Sequence, residues 1–163
     1  MIAFEFTSAR AYLRPVRWPS IAFVLLLTIS TAAHAETVKV LKVLPHFLDH
    51  KGRASLGPSL FDRDAYQAEL RSDKTNRSAL RFDVNWVGRG FDELTLRVEA
   101  RSGNVRQPKT FVLEEKVRPG VFSKWSALTI AGDEYKSFGE IIAWRATLWY
   151  GTNKLAEQVS FLW

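Results

Sequence analysis

"LRFDVNWVGRGFDELTLRVEA", Leu80–Ala100, decides the fold. In its first part Leu80, Phe82, Val84 and Trp86 alternate with Arg81, Asp83 and Asn85. After the break at Gly88-Arg89-Gly90, Leu94, Leu96, Val98 and Ala100 alternate with Thr95, Arg97, Glu99 and Arg101. A period of two places successive side chains on opposite faces of a pleated strand, so both segments read as half-buried strands.

The same signal continues toward the C-terminus. Ser102-Gly103-Asn104 is a turn, and Lys109–Val117 follows as a strand. Its apolar parity of Phe111, Leu113 and Val117 is broken by Glu115, which predicts an edge position. Pro119-Gly120 ends it. Phe122–Ile130 reads as a strand around Trp125, Leu128 and Ile130, and Gly132–Gly139 as a polar loop holding Tyr135 and Phe138. Ile142, Trp144, Ala146 and Leu148 form the next inward face. Gly151-Thr152-Asn153 closes a hairpin to a last strand carrying Leu155, Val159, Phe161 and Trp163.

Toward the N-terminus, Thr37–Leu48 reads as a strand rich in Val, with Pro45 placing its second half at an edge or bend. Residues 49–78 are too long for a structureless loop in a compact domain. "GPSLFDRDAYQAELRSDK", Gly57–Lys74, supplies the missing structure as a short helical insert over about 59–72. Asp62 is its expected N-cap, with Phe61 stapled to Tyr66; Ser59 is the rival cap. Tyr66 and Leu70, at i and i+4, share the face that would plug one end of the domain. The predicted fold is therefore all-β: a seven-stranded antiparallel immunoglobulin-like sandwich with one short helical insert between its first two strands.

The N-terminus reads as a signal peptide over residues 1–35. Arg10, Arg14 and Arg17 precede the apolar run Ile21–Ala33, and Ala33-His34-Ala35 offers a small-x-small cleavage site. That run is short for a membrane span, although an uncleaved signal could stay as an anchor. Residues 36–163 then form a single β-sandwich domain of 128 residues. The chain has no cysteine, and a Cys-free exported domain fits a bacterial periplasm or exterior better than an oxidising eukaryotic compartment. The net charge is +6, of which the signal contributes +2 through Arg10, Arg14, Arg17 and Glu5. The remaining basic residues are scattered, so nucleic acid is not an expected partner.

Chemistry is sparse. His46, Asp49 and His50 form H-x-x-D-H, a weak metal candidate. On an extended strand the two histidines would lie roughly 13 Å apart, too far to share an ion. Asp62, Asp64 and Glu69 form the densest carboxylate group, but helix N-termini favour acids for electrostatic reasons alone. Neither a G-x-S-x-G elbow nor a phosphate loop occurs, and no cofactor motif is present. Of the tryptophans, Trp86, Trp144 and Trp125 read as core. Trp149 and Tyr150 are adjacent, so one of them must face outward, where aromatic rings stack on sugars or anchor protein contacts.

"VLKVLPHFLDHKGR" (Val40–Arg53), "SLFDRDAYQAELR" (Ser59–Arg71), "RFDVNW" (Arg81–Trp86), "AWRATLWY" (Ala143–Tyr150) and "EQVSFLW" (Glu157–Trp163) resemble a group of uncharacterised secreted bacterial proteins with an immunoglobulin or fibronectin-like β-sandwich. The resemblance covers most of the exported chain. It implies no activity and carries over no catalytic residue.

Three functional expectations follow. The first is a secreted, non-enzymatic binding or scaffolding domain with an unknown protein or glycan partner. It would touch the membrane only through an uncleaved signal, and its contact surface would include Trp149, Tyr150, Tyr66 and Arg63. The second is a small hydrolase using His46 or His50 with a carboxylate. The third is a small outer-membrane β-barrel, since the last strand alternates apolar residues and ends in Trp163. An odd strand count and Glu157 on that face weigh against it.

Overall fold

Hydrophobic alternation builds two antiparallel sheets around a shared core. The computed structural model describes residues 37–103 and 109–163. The predicted signal peptide and Asn104 lie outside these residues. In chain order the elements are β1 (Thr37–Leu48), α1 (Leu60–Ser72), a 3-10 turn at Lys74–Asn76, β2 (Ala79–Arg89), β3 (Leu94–Ser102), β4 (Thr110–Val117), β5 (Lys124–Ala131), α2 (Gly132–Phe138), β6 (Ile141–Tyr150) and β7 (Asn153–Val159). One sheet has the order β1-β2-β5 and the other β4-β3-β6-β7, and every pairing is antiparallel.

The two strands of the deciding stretch do not pair with each other. Near Gly90, at φ 90°, the chain passes from one sheet to the other. Gly88 lets this happen, because a Cβ there would lie 2.5 Å from Leu94 Cδ1. Leu80, Phe82, Val84 and Trp86 from β2 meet Leu94, Leu96, Val98 and Ala100 from β3 in one core with Leu128, Ile130, Ala146 and Leu148. Each Leu, Ile, Val or Phe among them stabilises the fold by roughly 1.5–3 kcal/mol on full burial. Trp86 is buried whole because its indole N–H donates to Ser126 Oγ at 3.1 Å. β4 is an edge strand, as its broken parity predicts.

The barrel expectation is corrected. The strands form two open sheets with edges at β1, β5, β4 and β7, not one closed ring. The polar loop expected over 132–139 is instead the helix α2, anchored by buried Phe138 edge-on to Phe111 at 6.2 Å. The parity of the last strand is also corrected. A register shift between Leu148 and Trp149 inserts one residue, so Ala156 and Gln158 pair opposite the inward Leu148 and Ala146. Leu155 and Val159 face solvent.

The insert is a helix, but it is seated differently from the expected staple. Ser59 is the N-cap, its Oγ accepting from Asp62 N at 3.0 Å. Phe61 is 81% exposed and packs on nothing as a staple would. Tyr66, Gln67 and Leu70 face the protein. Gln67, which the apolar pattern hides, holds the helix to β1. Its Oε1 accepts from Phe47 N and its Nε2 donates to Phe47 O, both at 2.9 Å. The amide thus satisfies both edge groups of Phe47 on the free side of β1, which blocks strand addition at that residue. Arg77 closes the other end of α1. Its guanidinium donates to the carbonyls of Leu70 and Arg71, pairs with Glu140 at 3.0 Å, and lies 4.0 Å from the Phe47 ring centroid.

Candidate binding groove

Cross-strand register fixes what the outer face of the three-stranded sheet displays. Lys42, Asn85 and Trp125 form one row across β1, β2 and β5. Leu44, Asp83 and Ala127 form the next, and His46, Arg81 and Thr129 the third. In the two neighbouring rows β5 displays only the small Ala127 and Thr129 beside the Trp125 ring. The first turns of α1 bring Leu60 and Arg63 over β1 as the opposite rim. The result is a shallow, open groove of about 480 Å³.

Its chemistry is mixed. His46 Nδ1 donates to Asp83 Oδ2 at 2.7 Å, and Arg81 Nη2 donates to the same oxygen at 3.0 Å. Burial pushes the Asp83 carboxyl up, but the hydrogen bonds from His46 and Arg81 outweigh it and hold the group below the ordinary carboxylate range. Asp83 is therefore a carboxylate already matched by two partners. Lys42 is exposed and forms no ion pair among the described residues. Arg63 pairs with Asp64 at 3.1 Å, a contact near the surface that holds little energy. Trp125 is 56% exposed, which corrects its expected place in the core.

The rim on the α1 side depends on Asp49. Its Oδ1 accepts from Lys51 N and Arg53 N, and its Oδ2 from Arg53 Nε and the Tyr66 hydroxyl, all at 2.8 Å. Burial raises this carboxyl, yet the Arg53 backbone N–H and the Tyr66 and Arg53 side chains bring it well below the ordinary range. Asp49 thus ties the end of β1, the following turn and α1 into one unit. H-x-x-D-H is a structural knot rather than a metal motif. His46 turns to Asp83, Asp49 to Tyr66 and Arg53, and His50 Nε2 donates to Thr75 O at 3.0 Å. Among the described residues no three His, Cys, Asp or Glu side chains are grouped to hold a metal.

The expected surface residues scatter. Arg63 lies on the groove. Tyr66 is buried, its hydroxyl taken by Asp49, so it offers no contact surface. Trp149 lies on the other sheet, its indole N–H donating to Thr147 Oγ1 at 2.8 Å and the Arg97 guanidinium 5.0 Å from its ring. Tyr150 is 53% exposed but packs against Phe91, ring centroids 5.0 Å apart and tilted by 55°. Sequence reasoning missed Lys42, Asp83 and Trp125 as partners in one site. The signal for Trp125 was present, because counting by twos from Leu128 and Ile130 puts it on the outer face.

Among the described residues no helix is long and apolar enough to cross a membrane. Comparison with protein-family models, with curated proteins and with solved structures found no match for this chain.

Proposed function

We propose that this protein is an exported, immunoglobulin-like binding domain that holds its ligand in the groove between α1 and Trp125. The sheet order β1-β2-β5 against β4-β3-β6-β7 supports the architecture, since it corresponds to the A-B-E and C′-C-F-G sheets of a fibronectin type III sandwich. The observation that carries the binding role is the groove itself. It joins a half-exposed tryptophan to Lys42, Arg63 and Arg81. A thermal-shift panel of cell-surface polysaccharides and peptides tests the role. A ligand of the folded state raises Tm, and Trp125→Ala should abolish the rise. Turnover of a panel compound that disappears in His46→Ala would overturn it.

That last outcome belongs to a second reading, which the His46–Asp83 pair favours. A carboxylate fixes the imidazole orientation in many general bases, and at 2.7 Å Asp83 meets that requirement. A hydrolase built here would activate water directly. His50 and Asp49 would take no part, each being engaged elsewhere.

A further inference from the structure

We infer that the ligand of the groove is a saccharide carrying carboxylates, such as a uronic-acid oligomer; this rests on reading the groove as the binding site. Two independent features of the groove point to that class. The first is charge. Lys42, Arg63 and Arg81 face it against one carboxylate, Asp83, which His46 and Arg81 already satisfy. Arg63 shares Asp64, yet Lys42 has no partner among the described residues, so the groove holds surplus positive charge where a ligand would sit. Anions are drawn to such a site.

The second feature is shape. The Trp125 ring stands beside the short Ala127 side chain, a step on which a flat apolar ring face can rest while its substituents reach the floor. A pyranose offers that face, and its carboxylate would reach Lys42 in the same row as Trp125. An acidic peptide is the competing anion. Extended peptides take most of their affinity from backbone pairing with a free sheet edge. On the α1 side of the groove Gln67 already occupies the edge groups of Phe47. On the other side the edge of β5 beside Trp125 stays open, so the penta-aspartate arm of the test separates a peptide from a sugar.

Isothermal titration of the purified protein with trigalacturonate, its methyl ester and penta-aspartate decides the matter. Trigalacturonate should bind, and the ester should bind at least about tenfold more weakly. Lys42→Gln should weaken the acid about fivefold and the ester little, as a partly exposed ion pair predicts. Trp125→Ala should weaken both about tenfold. Circular dichroism checks that the variants stay folded, and all changed residues lie outside the core. Equal binding of the ester overturns the anionic class while leaving groove binding in place. Equal binding of penta-aspartate overturns the saccharide. Failure of all three probes overturns the uronide assignment, and the thermal-shift panel then judges the binding role separately. Unchanged affinity in Trp125→Ala shows that the groove is not the site, which overturns both.

Discussion

The two outer faces of the molecule use the same residue types to opposite ends. On the four-stranded sheet, arginines and tryptophans satisfy one another. Trp163 lies between Arg101 at 3.9 Å and Arg145 at 4.7 Å. Arg145 pairs with Glu99 at 2.6 Å, Arg97 with Glu114, and Arg97 also covers Trp149. On the three-stranded sheet Trp125 has no cation over it and Lys42 no carboxylate among the described residues. A cation–π ladder closed on itself contributes to stability. One left open is available to a ligand. The presence of tryptophan and arginine therefore says little about function until cross-strand register shows which groups neutralise which.

The largest effects are expected where the open face is anchored. Asp49→Ala removes the acceptor for four hydrogen bonds and leaves the Tyr66 hydroxyl and Arg53 unmatched; we expect a loss of about 3 kcal/mol in urea unfolding and a mobile α1. The comparison breaks if this variant keeps both its stability and its groove binding. Gln67→Leu should cost about 2 kcal/mol by orphaning Phe47 N–H and C=O, and should promote association through the uncovered β1 edge, visible in light scattering.

On the closed face, Arg145→Ala should cost about 1–2 kcal/mol, since it unpairs the largely buried Glu99 and uncovers one side of Trp163. It should leave ligand affinity unchanged, and a loss of affinity there would move the site to the wrong sheet. The smallest stability effect belongs to Trp125→Ala, within about 1 kcal/mol of the parent, because more than half of its surface is already in water. A large destabilisation would show that Trp125 is packed rather than displayed.

Acid should sharpen the same division. Asp49 and Asp83 are both held below the ordinary carboxylate range in the folded protein. The unfolded state then binds more protons, so their contribution is complete above an unfolded value of about 4 and is lost as pH falls through the folded values. Urea midpoints should decline below about pH 5, and Asp49→Asn should flatten that decline. A variant with the same acid slope as the parent would show that Asp49 is not the group being titrated.

Much of the fold was legible because strands announce themselves by parity. The bounds of Thr37–Leu48 and the alternation on both sides of Gly88 were readable, and so was the edge character of β4. Failures arose where one residue changed the count or where a polar side chain carried the packing. The bulge before β7 turned Leu155 and Val159 outward. α2 gave no periodic signal across seven residues. At the insert, Ser59 and Asp62 both qualify as caps from composition, and only the helix start at Leu60 selects Ser59. Gln67 and Arg77 were invisible because hydrophobic patterning ignores amides and cations that work by meeting backbone groups.

The sequence by itself determined the strands, the helical insert, the absence of disulfides and the mild positive charge, since each follows from local spacing or composition. Tertiary structure alone decided that His46 meets Asp83 instead of His50, that Asp49 ties a turn to a helix, and that the Arg97 guanidinium covers Trp149. The physical reason is register. Partners 37 residues apart, such as His46 and Asp83, become neighbours only when two strands align, and no local pattern encodes that alignment.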